Sequence, residues 1–326
     1  MTSSAPAIGR PLARADVRAR AGLADPAYRA LLTLFAVGVF AVLALIVWEC
    51  ARGAAPSLAA FGWRFLVSAD WDPVAEKFGA LPYLYGTLVT SAMAMLLAVP
   101  PCIGAAVFLA ELAPRGFGAV ASFLVELLAS ITSIVFGVWG LFVLAPWLRV
   151  VIEPWLIAHL GFLPLFRGFP FGLGFLNAGI VLAIMIAPTI VSISREILLA
   201  TSRTLREASL ALGATRAESL AVTLDAARPG ILGAMILALG RALGETMAVT
   251  MVIGNTNRIS ASLLGSGATM ASVIANEFTE ATSKLHLAAL IELALVLFAV
   301  TVVLNAAARL LVRWTTGGRR DVAGAA

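Results

Sequence analysis

Several stretches of this sequence are long, apolar and almost free of charge, and that property limits the fold more than any motif does. They are residues 31–48, 83–109, 120–144, 177–193, 231–254 and 285–311. A hydrocarbon core needs ~20 mostly apolar residues per crossing helix. Inside it every backbone N–H and C=O must be paired within the protein, which leaves helices or closed barrels. Runs of this length predict an all-α, polytopic integral membrane protein with six transmembrane helices. Composition agrees: 61% of residues are hydrophobic and 13% charged, with a mean hydropathy of +0.98. Soluble domains are about half apolar and roughly a quarter charged. A soluble enzyme, a disordered chain and a disulfide scaffold are therefore excluded.

The basic residues set the expected orientation. Arg10, Arg14, Arg18, Arg20 and Arg29 precede the first run. Arg195, Arg203, Arg206, Arg216 and Arg228 crowd the long segment between the fourth and fifth runs, and Arg309, Arg313, Arg319 and Arg320 close the chain. Segments on the other side carry fewer. The positive-inside rule then places both termini in the cytoplasm. The net charge of +5 follows from this asymmetry, and no nucleic-acid partner is expected. Residues 1–29 read as a disordered cytoplasmic segment, residues 30–314 as the transmembrane domain and residues 315–326 as a cytoplasmic tail. The first run reads as a retained helix rather than a cleaved leader.

Nothing in the sequence supplies catalysis. Cys50 and Cys102 sit in or beside apolar runs and read as small hydrophobes. His159 and His286 are too few for a metal site. Neither a P-loop nor an HExxH pattern occurs, so no enzyme activity, cofactor or metal is expected. Transport energy must come from a partner or a gradient. The outer segment 145–176 reads as a loop rich in Pro, Gly and Phe, whose Trp147, Trp155, Phe162, Phe166, Phe169 and Phe171 suit a membrane-interface belt.

The intramembrane charges are the candidate functional groups. Arg241 lies ten residues past Ile231, about 15 Å into a ~30 Å core. If the helix runs unbroken, Glu245 is one turn further on the same face. Two readings stay open: an ion pair that fixes packing, or a guanidinium offered to a passing oxyanion with Glu245 holding it between passages. Thr246, Thr250 and Asn255 offer further neutral donors. Glu292 either pairs with Arg241 or faces a wet vestibule.

The inner segment carries REASLALGAT at 206–215, which reads as two short helices joined at Gly213. Glycine accepts a positive φ without steric cost. This stretch resembles the EAA loop of ABC-importer permeases: Glu207, Ala208 and Gly213 match, Ser209 replaces an alanine, and Asp225 stands where a proline is usual. GRALGETMAVTMVIGN at 240–255, FGALP at 78–82, YGTL at 85–88 and ANEF at 275–278 are similar to the PstC permease family of phosphate importers. Ile131-Thr132-Ser133 departs from its Ile-Pro-Ser, so a third helix without its usual kink is expected.

The resemblance implies a type I ABC-importer permease in a bacterial plasma membrane, working by alternating access. Its implied partners are a homologous PstA-like permease, two cytoplasmic ATPase subunits and an extracytoplasmic phosphate-binding protein, besides membrane lipid. It implies a coupling loop at about 200–228, with Glu207, Ala208 and Gly213 contacting an ATPase. Arg241, Glu245, Thr246, Thr250 and Asn255 would line the phosphate path. The rival readings are a permease for molybdate or sulfate, or a gradient-driven transporter acting alone.

Overall fold

A computed structural model describes residues 15–201 and 203–317. The chain resolves into two compact units, Met1–Arg52 and Gly53–Ala326. Among the described residues, six helices are long and apolar enough to cross a membrane: Tyr28–Phe61, Leu81–Leu112, Ser133–Leu160, Phe175–Ala200, Arg216–Gly244 and Lys284–Trp314. Among the described residues there is no strand, only isolated bridges pairing Asp72 with Lys77 and Gly254 with Gly267.

The first unit contains most of α1 (Ala15–Phe61). Helix therefore begins inside the segment 1–29; residues 1–14 lie outside the described residues. Leu34, Phe35, Val39 and Phe40 are all exposed. A helix apolar on every side suits a lipid environment.

In the second unit, α2 (Arg64–Val67) precedes α3 (Leu81–Val107), which runs through Pro100 and Pro101 into a π-helical turn, Phe108–Leu112. After α4 (Arg115–Ser130) come α5 (Ser133–Trp139), α6 (Ala145–Trp147) and α7 (Glu153–Leu160), joined by π-turns Gly140–Leu144 and Leu148–Ile152. The remaining helices are α8 (Phe175–Ala200), α9 (Arg203–Ala211), α10 (Arg216–Gly244), α11 (Met247–Val252), α12 (Met270–Glu277) and α13 (Lys284–Gly317).

The core forms around α8. Leu182, Met185, Ile186 and Ile190 are buried against Ala94 and Ala98 of α3 and Ala238 and Ala242 of α10. Small residues let helices approach closely where lipid supplies no hydrophobic drive. The segment 254–269 folds back onto α3 and α8. Met270 N–H donates to Thr87 Oγ1 at 3.0 Å, and Thr269 caps α12. Gly86 lies so close to the Ala268 carbonyl that no side-chain carbon fits between them.

Two expected helices are built differently. The third run, 120–144, is not one span: Ile131 and Thr132 are extended (ψ 132° and 148°), which isolates α4 and starts the crossing helix at Ser133. The usual proline is missing, yet the chain still bends. Consecutive β-branched residues disfavour helix, and Ser130 Oγ folds back to Leu127 O at 2.7 Å. The crossing helix then continues to Leu160, well into the segment expected to be a loop. Pro146 and Pro154 stand at the starts of α6 and α7, each just after a π-turn. A proline lacks the N–H that an α-turn needs, and a locally widened turn accommodates that loss. The fifth run is also broken, and that break forms the candidate site.

Forcing a Cβ into the Gly86 contact should be costly, because the opposing atom is backbone. Gly86→Ala should lose about 1–3 kcal/mol, the usual range for overpacking. Thermal unfolding of the detergent-solubilised protein should show the drop. Gly104→Ala should not, since a Cβ there meets nothing within 4 Å.

Candidate functional site

α10 ends at Gly244. Glu245 is extended (ψ 127°), Thr246 lies at φ −111°, and α11 starts at Met247. The continuous helix expected across 231–254 is therefore interrupted, and Glu245 leaves the face that carries Arg241. The polar side chains of this stretch hold the break together. Ala248 N–H donates to Glu245 Oε1 at 3.2 Å, Thr246 Oγ1 to Gly244 O at 3.3 Å and Thr250 Oγ1 to Thr246 O at 2.7 Å. Asn255 Nδ2 donates to Thr250 O at 2.8 Å. Asn255 itself has φ +48°, after Gly254 at +89°.

Arg241 sits in the last turn of α10 with its side chain exposed. It lines an open cavity of about 750 Å³ between α10 and α13. Thr189 of α8, Gly233 and Gly240 of α10, and Asn305, Arg309 and Arg313 of α13 share the lining, which includes no acidic residue. Among the described residues, neither Arg241 nor Arg309 has a carboxylate partner. The expected Arg241–Glu245 pair is thus not formed, because the break carries Glu245 away to cap α11. Glu292 neither pairs with Arg241 nor faces a vestibule: it is 4% exposed, and its Oε2 has no hydrogen-bond partner among the described residues.

The sequence-predicted residues therefore fall into separate groups. Arg241 lines the cavity, whereas Glu245, Thr246, Thr250 and Asn255 brace the break beside it and spend their polar atoms locally. Asn305, Arg309 and Thr189 are lining residues that the sequence reading did not single out. The signal was present for two of them: 305, 309 and 313 are spaced by four and so share one helical face.

The inner segment folds as expected at its turn. Gly213 has φ +88°, with its N–H bonded to Leu210 O at 3.0 Å, and Thr215 forms a capping box with Glu218 at the start of α10. Glu207 and Ala208 are exposed, and Leu212 is 90% exposed. One anchor was not foreseen. Arg206 forms an ion pair with Glu111 in the π-turn that ends α3, and also donates to Leu198 O at 3.1 Å. Ser209 Oγ donates to Ser219 Oγ of α10 at 2.8 Å.

No family model matches the chain. Whole-chain relatives do. The phosphate transport system permease protein PstC of Mesorhizobium japonicum is 44% identical over 295 residues, covering 89% of this chain and 90% of that protein. PstC of Xylella fastidiosa is 46% identical over 293 residues, 88% of this chain and 90% of its own. A probable PstC of Methanocaldococcus jannaschii is 35% identical over 273 residues, 82% and 87% respectively. The chain belongs to the PstC family.

Seen as a PstC-family permease, this multi-pass membrane protein places its distinctive sequence segments at structural joints. The 240–255 segment is the helix break and the entry to the folded-back loop. In 78–82, Phe78 stacks on His286 at 5.2 Å. Glu277, within 275–278, accepts from Trp71 Nε1 at 2.8 Å and lies 3.0 Å from His286 Nε2. These contacts fasten the segment 71–78 to α12 and α13 of the PstC-family fold.

The Glu111–Arg206 pair yields a stability prediction. Breaking a fully buried pair costs ~3–5 kcal/mol. Here the side chains are 24% and 14% exposed, so Arg206→Gln should cost about 1–3 kcal/mol after screening by water. The loss should appear as faster proteolysis within residues 200–215. The double variant Glu111→Gln/Arg206→Gln should recover much of it.

Proposed function

We propose that this chain is the permease subunit of an ATP-driven importer and that inorganic phosphate crosses the membrane past Arg241. One observation carries the reading: a cation unpaired among the described residues, at a helix end, faces an open cavity whose lining has no acidic residue. A guanidinium matches phosphate oxygens bidentately and stays charged at any physiological pH. The relatives named above are phosphate transport permeases, which supports phosphate over molybdate or sulfate.

In this reading the protein works with a homologous permease, two cytoplasmic ATPase subunits and an extracytoplasmic phosphate-binding protein. It lies in a bacterial plasma membrane with both termini inside. Residues 30–314 form the permease domain and 200–228 the coupling loop. Glu207, Ala208 and the Gly213 turn are the ATPase contact; their exposure beside the apolar Leu212 fits a surface made for a partner. ATP-driven closure of the ATPases moves α9 and so α10. Phosphate moves without chemical change, and the chain itself catalyses no reaction. Glu245, Thr246, Thr250 and Asn255 keep the break open next to the path.

The roles of Arg241 and Glu245 are separable by uptake of radiolabelled phosphate. Charge-assisted hydrogen bonds are worth about 1.5–3 kcal/mol. Arg241→Gln should therefore lower uptake by at least about tenfold while the complex still assembles. Glu245→Gln keeps an acceptor for the Ala248 N–H and should show a smaller loss. If the double variant regained both assembly and transport, packing rather than passage would be the role of these residues.

The coupling turn has its own test. A β-branched residue at φ +88° is strained by about 1–3 kcal/mol. Gly213→Val should leave the protein in the membrane and reduce co-purification of the ATPase. A cysteine placed at Ser209 should react only with reagent on the cytoplasmic side, and one at Ala281 only with reagent outside; labelling of both from one side would refute the six-span orientation.

A further inference from the structure

The Arg241 cavity extends well beyond Arg241. Asn305 lies beside Gly240, 3.6 Å from where a Cβ on that glycine would stand. From Asn305, Arg309 and Arg313 follow at intervals of four residues, about 6 Å per step along α13. α10 and α13 are successive crossings and run in opposite directions. The α13 ladder therefore leads from the level of Arg241 toward the end of the membrane where α10 begins. The α10 wall opposite has Gly233, where an added Cβ meets nothing within 4 Å. Thr189 of α8 adds a hydroxyl. Open volume, two arginines and an asparagine at four-residue intervals, and a glycine on the facing wall together make a second place for an anion, about one helical turn from the first.

We propose that Arg309, with Asn305 and Thr189, forms a second phosphoryl-oxyanion site in this cavity, one turn nearer the cytoplasm than Arg241. The proposal rests on the import reading above and adds an exit station to it. Two sites a turn apart let an anion leave the first without becoming free in hydrocarbon, and neither site needs to bind it tightly. Arg309 is suited to the role because, among the described residues, it has no carboxylate to compete with the anion. A phosphoryl group reaches such a site from two sources, the transported phosphate or the headgroup of a phospholipid entering between α10 and α13.

The experiment uses the assembled importer with ATP enclosed, in vesicles of galactolipid, which has no phosphate, and in vesicles of phosphatidylglycerol. Uptake of radiolabelled phosphate is measured with and without phosphate preloaded in the lumen. Loss of a charge-assisted contact should lower the maximal rate of Arg309→Gln about tenfold in both lipids. The half-saturating external phosphate should stay unchanged, and inhibition by luminal phosphate should weaken. Arg309→Lys should keep most of the rate. Gly233→Leu, which fills the cavity without altering its charge, should reproduce the loss and shows that a defect does not stem from misfolding around a lost arginine.

A defect of Arg309→Gln seen only in phosphatidylglycerol supports the oxyanion site and assigns it to a lipid headgroup. Wild-type rates and wild-type luminal inhibition in both lipids overturn the proposal. Arg241→Gln, run in parallel, separates the two readings. If it abolishes uptake while Arg309→Gln does not, only the second site falls. If Arg309→Gln fails and Arg241→Gln transports normally, the passage role of Arg241 falls and the second site stands.

Discussion

A helix that stops inside a membrane leaves its last carbonyls without partners, and lipid supplies none. At the break after Gly244, local donors cover the Gly244 carbonyl and the carbonyls that follow it. Thr246 Oγ1 covers the Gly244 carbonyl, Thr250 covers Thr246, and Asn255 covers Thr250. The same break settles the two charges. A helix C-terminus carries partial negative charge and favours a cation, and a helix N-terminus favours an anion. Arg241 stands in the last turn of α10, and Glu245 accepts the Ala248 N–H at the head of α11. Each charge is favoured by its own helix end, so neither needs the other. That leaves the guanidinium available to a ligand, which a continuous helix with a closed i, i+4 pair would not do.

The connection from this break to the Gly213 turn runs through a single element, α10. α10 runs from the Thr215 cap to Gly244 and carries Pro229 inside it without ending there. Its 29 residues span about 43 Å. Ser209 joins α9 to α10, while Arg206 joins α9 to Glu111 at the end of α3. A displacement applied at the Gly213 turn therefore reaches both the helix that carries Arg241 and the helix that packs on α8.

How much of this was legible follows from what each signal depends on. Membrane crossings depend on hydrophobicity summed over many residues, and the runs were readable on that basis. The Gly213 turn depends on one backbone angle that glycine alone adopts freely, and it too was readable. The break at Glu245 was not. The segment from Gly244 to Gly254 contains no proline and is apolar enough to pass as helix; what ends α10 there is tertiary, the packing of Ala248, Val249 and Val252 into the α8 core. The bend at Ile131–Thr132 was missed because it was sought in an absent proline. Arg309 was legible only as a basic residue near a helix end, where the positive-inside rule already accounts for it. Its second property, a place four residues from Asn305 on the face opposite Gly240, emerges once α10 and α13 are side by side.

An arginine without a carboxylate partner also constrains how the cavity closes. On insertion scales an arginine at mid-membrane costs ~2.5 kcal/mol, and in a dry setting considerably more. The open volume beside Arg241 leaves room for water, which keeps the cost near the lower figure. Closing α13 onto α10 with nothing bound would strip that water and strand both Arg241 and Arg309. In the proposed reading, a phosphate between them would instead receive charge-assisted hydrogen bonds in a low dielectric, where they are strongest. The absence of acidic residues from the lining thus has an energetic consequence in the proposed reading: closure would be favourable with an anion aboard and unfavourable without one. A carboxylate facing Arg241 across the cavity would remove that distinction, and the break that takes Glu245 to the head of α11 preserves it.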